Sequence, residues 1–88
     1  MATAQEIRIE ILTQLYAQRP GSRSVPELLR LAKRDQVYLF SGTTEFEIRR
    51  ECEYLAGLPA PQVEKLTGLD RWQITSSGVQ FMEENGLV

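Results

Sequence analysis

With 88 residues, 42% of them hydrophobic and 25% charged, the chain has the composition of one small folded domain rather than a disordered segment. Its 10 Lys and Arg residues against 12 Asp and Glu residues give a net charge of -2, which disfavours strong nonspecific binding to nucleic acid. One cysteine and no histidine exclude an internal disulfide and a Cys/His zinc site, and they favour a reducing, cytoplasmic location.

Three capping boxes predict the starts of three helices. In this motif a Ser or Thr side chain accepts a hydrogen bond from the amide three residues on, and a Glu at that position reaches back. The boxes are Thr3 with Glu6, Ser24 with Glu27, and Thr44 with Glu47. Apolar residues recur at helical spacing after each box, so each helix is expected to bury one face. The predicted helices cover residues 4–18, 25–35 and 45–56.

A short apolar run, Val37 to Phe40, lies between the second and third predicted helices. Four residues are too few for periodicity to distinguish a strand from a helical extension. Because the run fits no regular element, Tyr38 and Phe40 are candidates for an interface with another chain, and packing in the core is the alternative.

The segment after the third helix predicts a β-hairpin. Polar and apolar residues alternate over 62–66 and 71–75, on either side of a glycine-containing turn at 67–70. Thr75 then stands where a helix cap belongs, and Asn85-Gly86 supplies a left-handed stop, so a last helix is expected over 76–85. The expected core consists of Ile11, Leu15, Leu28, Ile48, Leu55, Trp72, Ile74 and Phe81.

The C-terminal stretch Arg71-Trp-Gln-Ile-Thr-Ser-Ser-Gly-Val-Gln-Phe-Met82 resembles the W-x-I-T-x-x-G-x-x-F-L ending of many small bacterial and phage winged-helix proteins. Three helices, a hairpin and a closing helix are also the order found in that family. The resemblance implies a mostly helical α+β fold, a winged helix-turn-helix formed by residues 1–88 as one domain. It makes the third helix the recognition helix and the hairpin the wing.

When winged-helix proteins bind DNA, the third helix enters the major groove and the wing touches the backbone or the minor groove. By resemblance, the DNA-contacting residues are Thr43, Thr44, Arg49, Arg50, Lys65 and Arg71. The same helix carries four acidic residues, which would meet phosphates at a cost. The alternative is that Arg49 and Arg50 pair at helical spacing with acids of their own helix on a solvated face. Those acids are Glu45, Glu47 and Glu53.

Three further features have a structural and a functional interpretation. The most basic region contains Arg19, Arg23, Arg30, Lys33 and Arg34. These residues could contact phosphates or an acidic protein surface. Alternatively, they only interact with the dipole at the C-terminus of the second helix and keep the protein soluble.

Trp72 fits the core better than an exposed binding anchor. Cys52 lies on the apolar side of its helix, where a buried, inert thiol is expected instead of a nucleophile.

Two functions therefore remain open. The first is a small DNA-binding transcriptional regulator of phage or bacterial type, acting in the cytoplasm as a homodimer on double-stranded DNA. The second is a winged-helix protein-interaction module whose acidic third helix meets a protein partner or its own copy. Neither involves catalysis, a cofactor or a metal. No membrane association is expected, because no stretch approaches the roughly 18 apolar residues that a span needs.

Overall fold

Five helices and three short strands form over residues 1–88 of a computed structural model. In chain order they are α1 (Ala4–Gln18), β1 (Arg23–Ser24), α2 (Val25–Asp35), α3 (Val37–Phe40), α4 (Glu45–Ala56), β2 (Val63–Lys65), β3 (Arg71–Ile74) and α5 (Ser76–Glu84). The predicted α+β class, mostly helical, is therefore confirmed. None of the helices combines the length and the apolar character needed to cross a lipid bilayer.

All three predicted capping boxes are formed. At the start of α1, the Glu6 amide donates to Thr3 Oγ1 at 3.2 Å, and the Thr3 amide donates to Glu6 Oε1 at 2.9 Å. The same pair of hydrogen bonds opens α2 and α4. Because each box supplies partners for amides that the first helical turn leaves free, the three starts follow from local chemistry alone.

The apolar run between α2 and α4 forms one turn of helix, α3, and not a strand. Gln36 separates it from α2, because its backbone leaves the helical region with φ -138° and ψ 71°. The turn brings Phe40 into the core and leaves Val37 and Tyr38 in solvent. This places an exposed apolar pair between the two longer helices.

The predicted hairpin is present and belongs to a three-stranded antiparallel sheet of order β1-β3-β2. Val63 pairs with Ile74 and Lys65 with Trp72, which defines the register of the hairpin. Gly68, in the turn, has a φ of 76°, a conformation that favours glycine. β1 adds two residues to the other side of β3, and a strand this short leaves no periodic signal in the sequence.

A single core of 15 buried residues joins the helices to the inner side of the sheet. Six of the eight expected core residues are fully or almost fully buried in it, including Trp72, whereas Ile74 and Phe81 are half-buried at its edge. Their places are taken by Val63 and Met82, which are completely buried.

Gly78 determines how closely α5 approaches the hairpin. A Cβ at this position would overlap the carbonyl oxygen of Gln62 and the side chain of Ile74. The neighbouring Thr75 caps α5 by accepting the Gly78 amide at 3.1 Å. The close packing of this helix on the hairpin therefore requires a residue without a side chain at position 78.

Candidate functional site: the α4 face and the hairpin

α4 has one buried side and one solvent side. Ile48, Cys52 and Leu55 point into the core at the i, i+4 and i+7 spacing of an amphipathic helix. The exposed and half-exposed side chains on the other side are called here the α4 face. They are Glu45, Phe46, Glu47, Arg49, Arg50, Glu53 and Tyr54.

Arg49 is held against the tip of the hairpin. Its Nη1 and Nη2 atoms donate to Oδ1 and Oδ2 of Asp70, both at 2.8 Å, in a two-point ion pair. The hydrogen bonds from Arg49 lower the pKa of the Asp70 carboxyl, and the carboxylate raises the pKa of the guanidinium. Both terminal nitrogens of the Arg49 guanidinium are therefore already engaged by a carboxylate.

Arg50 belongs to a second ion pair, at the edge of the core. Its Nε donates to Oε2 of Glu51 at 2.8 Å, while Nε of Arg8 donates to Oε1 at 2.7 Å. Burial by itself raises the pKa of Glu51, but the hydrogen bonds from the two guanidiniums outweigh it and the pKa is lowered. The Arg8 guanidinium also lies over the Tyr54 ring, 3.7 Å from its centroid.

The two predicted wing residues differ in their surroundings. Arg71 donates to the hydroxyl and carbonyl oxygens of Ser22 at 2.9 and 2.8 Å, and its Nη1 lies 3.0 Å from Glu27 Oε1. It thus fastens β3 to the start of α2. Lys65 is exposed at the end of β2 and makes no ion pair or side-chain hydrogen bond.

The two threonines predicted to touch DNA have structural roles. Thr43 is only 3% exposed, so its side chain is not available to a ligand. Its interpretation as a contact residue is corrected on that ground. Thr44 Oγ1 is the cap of α4 and accepts the Glu47 amide at 3.3 Å.

The two predicted interface residues, Tyr38 and Phe40, differ in exposure. Phe40 is completely buried, so the core alternative holds for it and the interface interpretation is wrong for the folded monomer. The helical turn of α3 accounts for this, because residues two apart on a helix point to different sides. Tyr38 is 92% exposed and stays a candidate.

The expectation that Arg49 and Arg50 pair with the acids at positions 45, 47 and 53 is also corrected. Arg49 pairs instead with Asp70 at the tip of the hairpin, and Arg50 pairs with the neighbouring Glu51. Glu45 and Glu53 have no side-chain hydrogen bond or ion pair. α4 and the hairpin together carry six acidic and four basic residues, so this surface has a net negative charge.

Phe46, which the sequence analysis did not select, is the most exposed apolar residue of α4, at 72%. A signal for it exists: Phe46 lies two residues, about 200° of helical rotation, from the buried Ile48. Tyr54, nearly half exposed, lies two turns further along. The α4 face therefore combines uncompensated acids with aromatic surface.

Positive charge collects on the neighbouring helix. α2 packs against α4 and carries three basic residues in its second half, which are called here the α2 basic stripe. They are Arg30, Lys33 and Arg34. Only Arg34 has an acidic partner, Asp35, at 3.0 Å. The other members of the basic region are engaged locally: Arg19 stacks on Tyr16 and Arg23 donates to Gln18.

Cys52 does not contribute chemistry to this surface. Its side chain is completely buried, and burial raises the pKa of the thiol to about 12. A thiol in that state is neither a nucleophile nor a metal ligand at neutral pH. The expected burial of the cysteine is confirmed.

Comparison with known proteins gives no relative from which a role for these residues can be transferred. The chain matches no protein-family model, no curated protein and no solved structure.

Proposed function

We propose that this protein is a non-enzymatic winged-helix domain of the cytoplasm that docks a basic protein surface through its α4 face. The helix order, and the hairpin that runs directly into α5, support the winged-helix assignment. The buried, protonated thiol of Cys52 fits a reducing compartment.

The observation that carries the proposal is the pairing of every arginine expected to bind DNA. Arg49, Arg50 and Arg71 each lie within 3.0 Å of a carboxylate oxygen of the same chain. A phosphate approaching this surface would have to displace those carboxylates and would still face the remaining acids. The electrostatic attraction on which DNA affinity depends is therefore largely cancelled.

The chemistry of the α4 face also indicates what fits on it. Glu45 and Glu53 offer free carboxylates, which favour Lys or Arg on the partner and speed its approach. Phe46 offers an aromatic ring that loses its exposure to water when it enters an apolar pocket, and buried aromatic anchors supply much of the affinity of protein interfaces. A partner with basic residues beside exposed apolar side chains is the best match.

The experiment is a selection from a random-peptide display library on the folded chain. The expected peptides carry Lys or Arg on both sides of an apolar residue, and their binding is lost in Phe46→Ser and in the double variant Glu45→Lys, Glu53→Lys. Glu84→Lys, at an exposed position of α5, is the control for introducing a lysine away from α4 and should bind like the wild type. Peptides that bind all four proteins equally would contradict docking through α4.

A second candidate is sequence-specific binding of double-stranded DNA, and one observation favours it. The Arg49–Asp70 pair joins α4 to the hairpin tip, so the recognition helix and wing form one rigid surface beside the unpaired Lys65. A mobility shift with random duplex at about 50 mM salt separates the two functions, because nonspecific phosphate contacts are strongest there. We expect no retained duplex. A complex whose affinity falls steeply with salt, and is weakened by Lys65→Ala, would favour DNA instead.

A further inference from the structure

We infer that the protein docked by the α4 face is a second copy of this chain, whose α2 basic stripe meets α4 across a twofold axis. This inference rests on the proposed function and names its partner. The surface involved runs from α2 through α3 to the exposed side of α4.

The charges on this surface complement one another. Arg30 and Lys33 of α2 have no acidic partner in their own chain, and neither Glu45 nor Glu53 of α4 has a basic one within hydrogen-bonding distance. α2 packs against α4, and no ion pair or side-chain hydrogen bond joins the basic groups of one helix to the acidic groups of the other. α2 therefore has basic groups without acidic partners, and α4 has acidic groups without basic partners.

In a twofold-symmetric dimer, the basic groups of α2 and the acidic groups of α4 can all find partners. In such a dimer the same patch is used by both subunits, so a contact between α2 of one copy and α4 of the other occurs twice. A head-to-tail arrangement would pair only one α2 with one α4 per contact and would continue into a ring or a filament. The proximity of the two helices in one subunit favours the closed, symmetric arrangement.

Exposed apolar side chains lie along the same stretch of chain. Val37 and Tyr38 of α3 and Phe46 of α4 are all in solvent, and α3 is the connection between the two charged helices. Exposed apolar residues that are grouped and bordered by charges are typical of a protein interface. A second copy would cover them with the corresponding residues of its own surface.

The test is a charge exchange followed by sedimentation at tens of micromolar protein. The wild type should sediment as a dimer of the 10.0 kDa chain and dissociate as salt rises to about 0.5 M, where charge interactions are screened. The α4 variant Glu45→Lys, Glu53→Lys and the α2 variant Arg30→Glu, Lys33→Glu should each dimerise at least about tenfold more weakly.

Mixing the two variants provides the decisive measurement. One then carries basic residues on both helices and the other acidic residues on both, so the mixture should form a heterodimer as stable as the wild-type dimer. Loss of folding cannot produce this recovery. Failure of the mixture to associate, or a dimer that neither variant weakens, would overturn the inference, and Glu84→Lys should leave the dimer unchanged.

The inference and the proposed function can fail separately. A wild-type chain that stays monomeric at every concentration contradicts the second copy as partner. Basic peptides that still bind the α4 face of that monomer, with the dependence on Phe46 described above, would leave the proposed function standing.

Discussion

Arg49 and Asp70 form a two-point ion pair between the middle of α4 and the tip of the hairpin, with both N–O distances at 2.8 Å. The two residues are 21 positions apart, and no other side-chain hydrogen bond or ion pair joins α4 to the hairpin. Because the guanidinium and the carboxylate are both planar, the pair restrains the orientation of the turn and not merely its distance from the helix.

We expect Asp70→Asn to loosen the hairpin tip without unfolding the protein. The pair is solvent-exposed, so its effect on global stability should be small. Without it, the amide of Leu69, which donates to the Leu66 carbonyl within the turn, should exchange faster with solvent. Amide exchange measured by NMR tests this, with Asp35→Asn as the control for removing an exposed ion pair elsewhere. Unchanged exchange at Leu69 would show that Arg49 does not hold the turn.

The same pair should be visible in a titration. Arg49 lowers the pKa of the Asp70 carboxyl, so this group should titrate below the usual aspartate value of about 3.9. In Arg49→Ala the pKa of Asp70 should rise towards the usual value, with Lys65 still lowering it. The stability that the pair contributes is present above the pKa of the unfolded chain and is lost as the pH falls through the lowered folded pKa.

Glu51→Ala should be strongly destabilising, because it removes the only carboxylate between the guanidiniums of Arg8 and Arg50. We expect a loss of about 3 kcal/mol in the free energy of unfolding at neutral pH, at the low end for a buried ion pair since both arginines are partly hydrated. Urea denaturation followed by the fluorescence of the single, buried Trp72 measures it. Glu53→Ala, on the same helix but exposed and unpaired, should change stability by no more than about 0.5 kcal/mol.

The cost of Glu51→Ala should depend on pH. The two arginines lower the folded pKa of Glu51 below its unfolded value, so the ionic contribution is complete above the unfolded pKa, about 4.3, and disappears as the pH falls through the folded pKa. The difference between wild type and variant should therefore shrink at about pH 2. A difference that stays constant from neutral to acidic pH would mean that packing, not charge, is responsible.

Glu10→Gln should raise the free energy of unfolding, in contrast to Glu51→Ala. Glu10 is a buried carboxylate of α1 that accepts hydrogen bonds from Gln14 at 2.7 Å and Gln36 at 3.3 Å but has no cation beside it. Burial, aided by the negative charge of Asp35, raises its pKa despite these hydrogen bonds. A glutamine keeps an oxygen as the acceptor for Gln14, gives up the acceptor for the longer hydrogen bond from Gln36 and removes the buried charge, so we expect a net gain in stability at pH 7.

The pH dependence checks the cause of that gain. Since the folded pKa of Glu10 lies above the unfolded one, the wild type loses stability as the pH rises from the unfolded pKa through the folded pKa, and the glutamine variant does not. The two proteins should therefore be nearly equal below about pH 4 and diverge towards neutrality. A gain that is the same at both pH values would have to come from something other than the charge.

The elements that the sequence predicted well are those determined within a few residues. Thr3, Ser24 and Thr44 each find their partner three positions on, so the starts of α1, α2 and α4 need no information from the rest of the fold. The hairpin is also local, since its turn and alternation lie within one segment. The two-residue strand β1 was not predicted, because it forms only by pairing with β3, almost 50 residues away in the sequence.

The candidate site was less predictable because its properties arise from contacts distant in sequence. Asp70, across the hairpin, takes the guanidinium of Arg49 that helical spacing assigned to acids of α4. Arg71 likewise turns back to Ser22 and Glu27. Charge that looks free in the sequence is therefore neutralised in the folded chain, which changed the balance between DNA and protein as the partner.

Phe40→Ala and Tyr38→Ala, two positions apart on α3, should have different consequences. Phe40 is completely buried, so its truncation should lower the free energy of unfolding by about 3 to 5 kcal/mol, whereas Tyr38 is exposed and its loss should cost no more than about 0.5 kcal/mol. If α3 lies in the proposed dimer interface, Tyr38→Ala should nevertheless weaken association at least about tenfold in sedimentation. Urea denaturation at protein concentrations below dimerisation separates the two effects. A Tyr38→Ala protein that dimerises like the wild type would show that the Tyr38 ring contributes nothing to the interface, because the loss of this exposed side chain leaves the fold intact.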